Sequence, residues 1–155
     1  MVFPSSTVVT HADRHWFYYG GENERHGTAE LDPAVWFEKR RTIGLATFPL
    51  DRFIGWHAGA RRGTVVTKPF VLKGSMLLAN VDAKHGEIAV EVLDPEGEAI
   101  PGYGSQDAVV YSRVDNLRLR LKWKTKRDLS ELVGKTVRLR FRFTLADLYA
   151  FQVAR

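Results

Sequence analysis

Residues 117–124 read "LRLRLKWK", with apolar and cationic side chains in strict alternation. A period of two puts each set on its own face of a β-strand. Leu117, Leu119, Leu121 and Trp123 are expected inward, and Arg118, Arg120, Lys122 and Lys124 outward. "TVRLRFRF" (136–143) repeats the pattern, with Val137, Leu139, Phe141 and Phe143 on one face and Arg138, Arg140 and Arg142 on the other. Side by side, these strands would crowd seven cations onto one face, which is unfavourable for directly opposed pairs. An acidic strand such as Glu87–Glu91 is therefore expected between or beside them. The cationic face reads first as solvated outer surface, then as a polyanion site, then as a docking face.

The neighbouring segments are also strand-like. "GTVVTKPFVLKG" (63–74), "SMLLANVDA" (75–83) and "GEIAVEVLD" (86–94) are β-branched or alternating, and "DPEGEAIPG" (94–102) carries Pro and Gly turn chemistry. "DLSELVGK" (128–135) suits one helical turn, with Asp128 as cap and Gly134 as terminator. Short strands at regular spacing with no long helical pattern predict an all-β fold: an antiparallel β-sandwich, jelly-roll-like.

The chain has 155 residues, which bounds it to one ordinary domain or one domain with an appendage. It has no cysteine, which excludes disulfide and thiolate chemistry without fixing a compartment. No apolar run reaches the roughly 20 residues that span a bilayer, and Met1-Val-Phe-Pro shows no signal-peptide pattern. A net charge of +5 slightly favours acidic partners but falls short of a nucleic-acid signature.

The first third differs. "HWFYYGGENERHG" (15–27) runs from aromatic through glycine to charged, and "TVVTHADRHWFYYGG" (7–21) is expected to pair with "TIGLATF" (42–48) in a small antiparallel sheet. Its apolar groups include Val8, Val9, Trp16, Phe17, Tyr18, Tyr19, Trp36, Phe37, Ile43 and Leu45. Such a sheet is expected to fold back on the sandwich or to offer a self-association surface.

The succession "FYYGGENERHG", "IGLATFPLDRFIGWHAG", "GTVVTKPFVLKG", "LLANVDAKHGEIAVEVLD", "LRLRLKWK", "DLSELVGKTVRLRFRF" and "LYAFQ" resembles the C-terminal end of bacterial glycoside hydrolase-like proteins. These join a five-bladed β-propeller, akin to the clan of glycoside hydrolase family 32, to a C-terminal β-sandwich. The resemblance implies that residues 1–50 are the remnant of a terminal propeller blade plus linker, and 51–155 the sandwich. It also implies an extracellular or periplasmic parent protein, and the missing propeller domain as a partner.

No nucleophile or acid/base motif of that clan is matched. Glycoside hydrolysis needs two carboxyl groups roughly 5–10 Å apart, and Glu22 and Glu24 are the only suggestive pair. The expectation is therefore a non-catalytic accessory module, with carbohydrate as a ligand. The alternative is that Glu22 and Glu24 contribute to a glycosidase site completed by absent blades. A second alternative is a polyanion-binding module using the Arg/Lys face. Exposed aromatics beside polar groups suit sugar rings, so Tyr19, Asn23, His26, Trp56, Tyr103 and Tyr111 are the candidate ligand contacts. No histidine spacing specifies zinc. Asp82, Asp94 and Asp115 are the residues a structural calcium would use, although no motif requires one.

Overall fold

The computed structural model describes residues 2–23 and 40–155. Glu24, His26, Trp36 and Phe37 lie outside the described residues. The chain divides into two compact units, Met1–Leu50 and Asp51–Arg155. Among the described residues all regular structure is antiparallel strand, apart from one 3-10 turn at Ser130–Leu132.

In the first unit, β1 (Val2–Pro4) and β2 (Val9–His11) pair with the two ends of one edge of β3 (Arg14–Glu22). The other edge of β3 pairs along its whole length with β4 (Arg41–Pro49), from Arg14↔Pro49 to Glu22↔Arg41. The sheet expected between 7–21 and 42–48 is therefore present, and residues 9–11 hairpin back onto β3 itself. Ala12 and Asp13 make that turn with φ of 48° and 60°, the left-handed pair that matches the twist of a hairpin.

The second unit is sandwich-like, built from a nearly closed seven-stranded sheet. Its strands are β5 (Trp56–Ala58), β6 (Gly63–Val66), β7 (Phe70–Val71), β8 (Met76–Leu93), β9 (Tyr111–Leu121), β10 (Thr136–Thr144) and β11 (Ala146–Ala154). The segments 75–83 and 86–94 read as two strands in sequence, but they are one 18-residue strand. Pairs flank the join on both edges, Ala83↔Val114 and Glu87↔Ser112 on one and Asp82↔Asp147 and Glu87↔Thr144 on the other, with Lys84–Gly86 between them. β9 runs along one edge, from Leu77↔Leu121 to Ile88↔Tyr111. β10 and β11 follow each other along the opposite edge, from Leu93↔Arg138 to Met76↔Ala154. β8 thus lies between β9 and β10, but its acidic stretch Glu87–Glu91 lies beside the basic residues of β10 only. The basic end of β9, Leu119–Leu121, runs beside the apolar Leu77–Ala79 instead.

A crease crosses all these strands, and at each crossing the inward face switches between odd and even positions. On β8 the buried series Leu77, Ala79, Val81, Ala83 gives way to Ile88, Val90, Val92. On β10–β11 it passes from Phe143 to Ala146, and on β9 the residues facing these are Tyr111 and Val114. Leu145 (φ 47°) and Arg113 (φ 55°) make the switch on the flanking strands. One left-handed residue turns the pleat over and bends the strand, as a bulge does. Leu145 also donates its N–H to Gly59 O at 2.9 Å, tying in the β5–β6 connection. Strands that bend between layers are how a single sheet makes the corners of a sandwich.

Inside the fold, Val137, Leu139, Phe141 and Phe143 are all buried, as the alternation predicts. Leu121 and Trp123 are buried too, and the Trp123 indole donates to Val90 O at 3.0 Å. Leu117 and Leu119 are only half-buried, because β9 has a strand on one side only among the described residues. On the outer faces, Arg118 and Arg120 are exposed, whereas Arg138, Arg140 and Arg142 are half-buried. The 128–135 turn is a 3-10 turn: Asp128 accepts the Ser130 N–H at 3.0 Å, and Gly134 follows at φ 86°.

Gly86 marks the tightest point of the crease. A Cβ there would lie 1.8 Å from Thr144 O and 2.5 Å from Leu145 O. Both are backbone atoms, so no side chain can swing aside. Gly86→Ala is expected to destabilise the sandwich-like unit by about 1–3 kcal/mol or more, the usual cost of forcing atoms into a packed site. Leu139→Ala should cost about 2–5 kcal/mol as a core truncation. Urea midpoints measure both, and a neutral Gly86→Ala would show that the strands are not pressed together there.

Candidate functional site

The outer face of the β5–β11–β8–β9 layer carries a row of charged residues that the pairing register places side by side. His57 opposes Asp147, Asp147 opposes Asp82, and Asp82 opposes Asp115. Three carboxylates in neighbouring positions repel one another; Lys84 and Arg52 offset this at the Asp115 end, and an imidazole borders the other. His57 Nδ1 lies 2.8 Å from Asp147 Oδ1. Lys84 Nζ reaches Asp115 Oδ2 at 2.6 Å and Asp82 Oδ2 at 3.3 Å. Arg52 donates to Asp115 Oδ1 at 2.5 Å, to Asn80 Oδ1 at 2.8 Å and to Val81 O at 3.1 Å.

Arg52 is the anchor of this cluster, with only 10% of its side chain exposed and its guanidinium 4.8 Å above the Tyr149 ring centroid. The hydrogen bond from Lys84, followed by that from Arg52, holds the Asp115 carboxyl below the usual carboxylate range. Lys84 is raised in turn, first by its bond to Asp115 and then by that to Asp82. Of the three aspartates considered for calcium, Asp82 and Asp115 do come together, and Lys84 bridges them. Asp94 does not join them, because its carboxylate accepts the Gly97 and Glu98 N–H groups at 2.8 and 2.9 Å. Among the described residues no group of three or more metal-ligating side chains is arranged to hold an ion.

On the opposite face of the β5 edge lies a groove of about 250 Å³ lined by Trp56, Val65, Phe141, Leu148, Tyr149 and Phe151. Trp56 pairs with Leu148 and so shares the core-facing side, but at the end of a short edge strand it is 65% exposed. Tyr149 sits at a bulge between Leu148 and Ala150 and packs on Gly55, where a Cβ would come within 2.7 Å of its ring. Burial raises the Tyr149 hydroxyl pKa, with the nearby Asp147 charge adding to it. Phe151 packs against Phe141 with centroids 5.4 Å apart and the rings tilted by 40°.

The sequence-derived ligand candidates scatter. Trp56 is on the surface. Tyr103 is not: it is 1% exposed, edge-on to Trp123 at 5.0 Å, and its hydroxyl donates to Asp128 O at 3.3 Å. It is core, because the turn around it folds inward. Tyr111 is half-buried, and its hydroxyl bridges Arg120 O at 3.1 Å and the Lys122 N–H at 2.8 Å. Tyr19, Glu22 and Asn23 belong to the first unit. Glu22 pairs with Arg41 at 3.0 Å, Asn23 Oδ1 accepts the Arg40 N–H at 3.0 Å, and the Tyr19 ring lies over Gly44. Glu24 and His26 fall outside the described residues.

Sequence reasoning missed Arg52, His57, Lys84, Asp147 and Tyr149. They are scattered along the chain, and only the strand register unites them. The one signal was "DRF…GW" next to a strand, which carries no periodicity of its own.

The basic strand β10 has its charges committed. Glu91, 3% exposed, lies beneath Arg142 Nε at 2.8 Å and Arg140 Nη1 at 3.6 Å. The short Arg142 approach is a charge contact off the hydrogen-bonding direction, since Glu91 Oε1 accepts no hydrogen bond. Arg138 donates to Pro95 O at 2.9 Å and Arg140 to Gly97 O at 3.4 Å, so this ladder also ties down the turn after β8.

Two substitutions test the aspartate row. Arg52→Ala should cost about 1.5–3 kcal/mol, because charge-assisted hydrogen bonds at a nearly buried site are lost. Lys84→Met should act through pH. A depressed carboxyl stabilises the fold fully above the ordinary value near 4 and loses that contribution as pH falls through its folded pKa. Lys84→Met should therefore lower the urea midpoint at neutral pH, with the gap to the natural protein closing in acid below about pH 4. A gap independent of pH would separate Lys84 from the titration of Asp115.

Compared with known proteins, the chain matches no family model, no curated protein and no solved structure.

Proposed function

We propose that this chain is a non-catalytic accessory module of a glycoside hydrolase-like protein, whose sandwich-like unit binds carbohydrate at Trp56. The observation that carries this reading is the Trp56 indole, 65% exposed above a groove with Tyr149 and Phe151 at its sides. An isolated indole left this bare usually has a flat apolar partner. The C–H face of a saccharide ring is one such partner, and the Tyr149 hydroxyl supplies a polar group beside it. Against catalysis, Glu22 is held by Arg41.

A polyanion-binding role is the second reading, favoured by the exposed Lys122 and Lys124 beside Arg120. It is weakened by β10, whose arginines already serve Glu91 and the 95–97 carbonyls.

Affinity electrophoresis through gels containing neutral polysaccharides separates the two. Retardation by at least one neutral polymer is expected, unchanged by salt. Trp56→Ala should weaken it by about tenfold, as for the loss of one stacked aromatic contact. Retardation only by heparin-like polymers, collapsing steeply with salt through counterion release, would replace the carbohydrate reading with the polyanion one. Mobility unaffected by any polymer would overturn both.

A further inference from the structure

The four-stranded sheet of the first unit leaves one strand poised for pairing. Among the described residues β4 has a strand neighbour on one side only, β3. Edge strands are commonly guarded by charge, proline or a bulge. Here residues 42–48, "TIGLATF", carry no charge and no proline, and the pairing with β3 is regular throughout. The cations at the two ends are tied back: Arg41 to Glu22 at 3.0 Å, and Arg14 to Thr47 Oγ1 at 2.6 Å.

One face of the sheet is also apolar and bare. Residues directly opposed share a face, so Phe3, Gly20 and Ile43 form one row, and Tyr18 and Leu45 form the next. Ile43 is 85% exposed, and Phe3, Tyr18 and Leu45 are each 44–46% exposed. For a β-strand in contact with solvent this is the pattern of a surface meant to be covered.

We infer that β4 is a self-association edge, and that two copies of this chain pair antiparallel through it about a two-fold axis at Gly44. That register sets Ile43 of each copy against Leu45 of the other, and Thr42 against Ala46. Arg41 meets Thr47, so no like charges oppose. It keeps the apolar face continuous across the join, from Phe3 through Gly20 and Ile43 to the other copy's Leu45 and Tyr18. A shift by one residue would set the apolar face of one copy beside the opposite face of the other. A two-fold strand pair is closed and self-limiting, so it yields a dimer rather than a fibre. Backbone hydrogen bonds supply the association and the Ile43–Leu45 contacts the register. The inference does not depend on the carbohydrate reading.

The full chain tests this directly. Sedimentation equilibrium should show a reversible dimer, and Ile43→Lys should weaken it at least about tenfold. Ile43 is so exposed that the variant's circular dichroism should match the natural protein. Because the chain contains no cysteine, cross-linking reports the register cleanly. A mixture of Ile43→Cys and Leu45→Cys chains should form a disulfide-linked heterodimer under mild oxidation, and each alone much less. A monomer at every concentration overturns the inference, as does a dimer indifferent to Ile43→Lys. Cross-linking by Leu45→Cys alone, and not by the mixture, overturns the register.

Discussion

The sandwich-like unit depends on a close approach between two backbones. Where β8 bends at Gly86, it runs against the carbonyls of Thr144 and Leu145 with no room for a side chain. The ladder pauses there, between Glu87↔Thr144 and Asp82↔Asp147, and this contact holds β8 against the β10–β11 run around the corner. Because they turn together, Val81 and Val90 face one interior although they lie on either side of the bend.

The two outer faces meet the problem of packing like charges in opposite ways. On one layer three aspartates lie in a row around two cations, Arg52 and Lys84, with the His57 ring at the far end. On the other, three arginines lie in a column and share Glu91 and two turn carbonyls. In both, the nearly buried member is the minority charge: Arg52 among carboxylates, Glu91 among guanidiniums. Removing a majority charge leaves the cluster still compensated. Removing the minority one exposes the repulsion that it was offsetting.

Alternation made much of this legible in the sequence. The two faces of β10 could be read from it, since all its apolar positions are buried, but its arginines, expected to be solvated, are half-buried over Glu91 and the 95–97 turn. The acidic stretch expected between or beside the basic strands is found beside β10, where Glu91 opposes Arg140; the cations of β9 are separated from it by register instead. The bends could not be read. Leu145 and Arg113 adopt left-handed backbone conformations without being glycine or asparagine, so nothing local marks them. For the same reason Tyr103 looked like a turn aromatic: the turn is real, but it folds inward over Trp123. The aspartate row was invisible because His57, Asp82, Asp115 and Asp147 meet only through pairing register, and register is a long-range property.

The centrality of β8 has a kinetic consequence. Both of its edges are closed by strands that come later in the chain, β9 on one side and β10 then β11 on the other. While the chain is being synthesised, this long and largely apolar strand must wait for the C-terminal residues. Until then its amides and Val-rich face stay open to other chains. Topologies dominated by such distant pairings fold in roughly milliseconds to seconds, slowly enough for stopped-flow fluorescence of Trp123 to follow. The bend at Gly86 interrupts the flat apolar run of β8 near its middle, and so limits the length of straight edge open to intermolecular pairing in that interval.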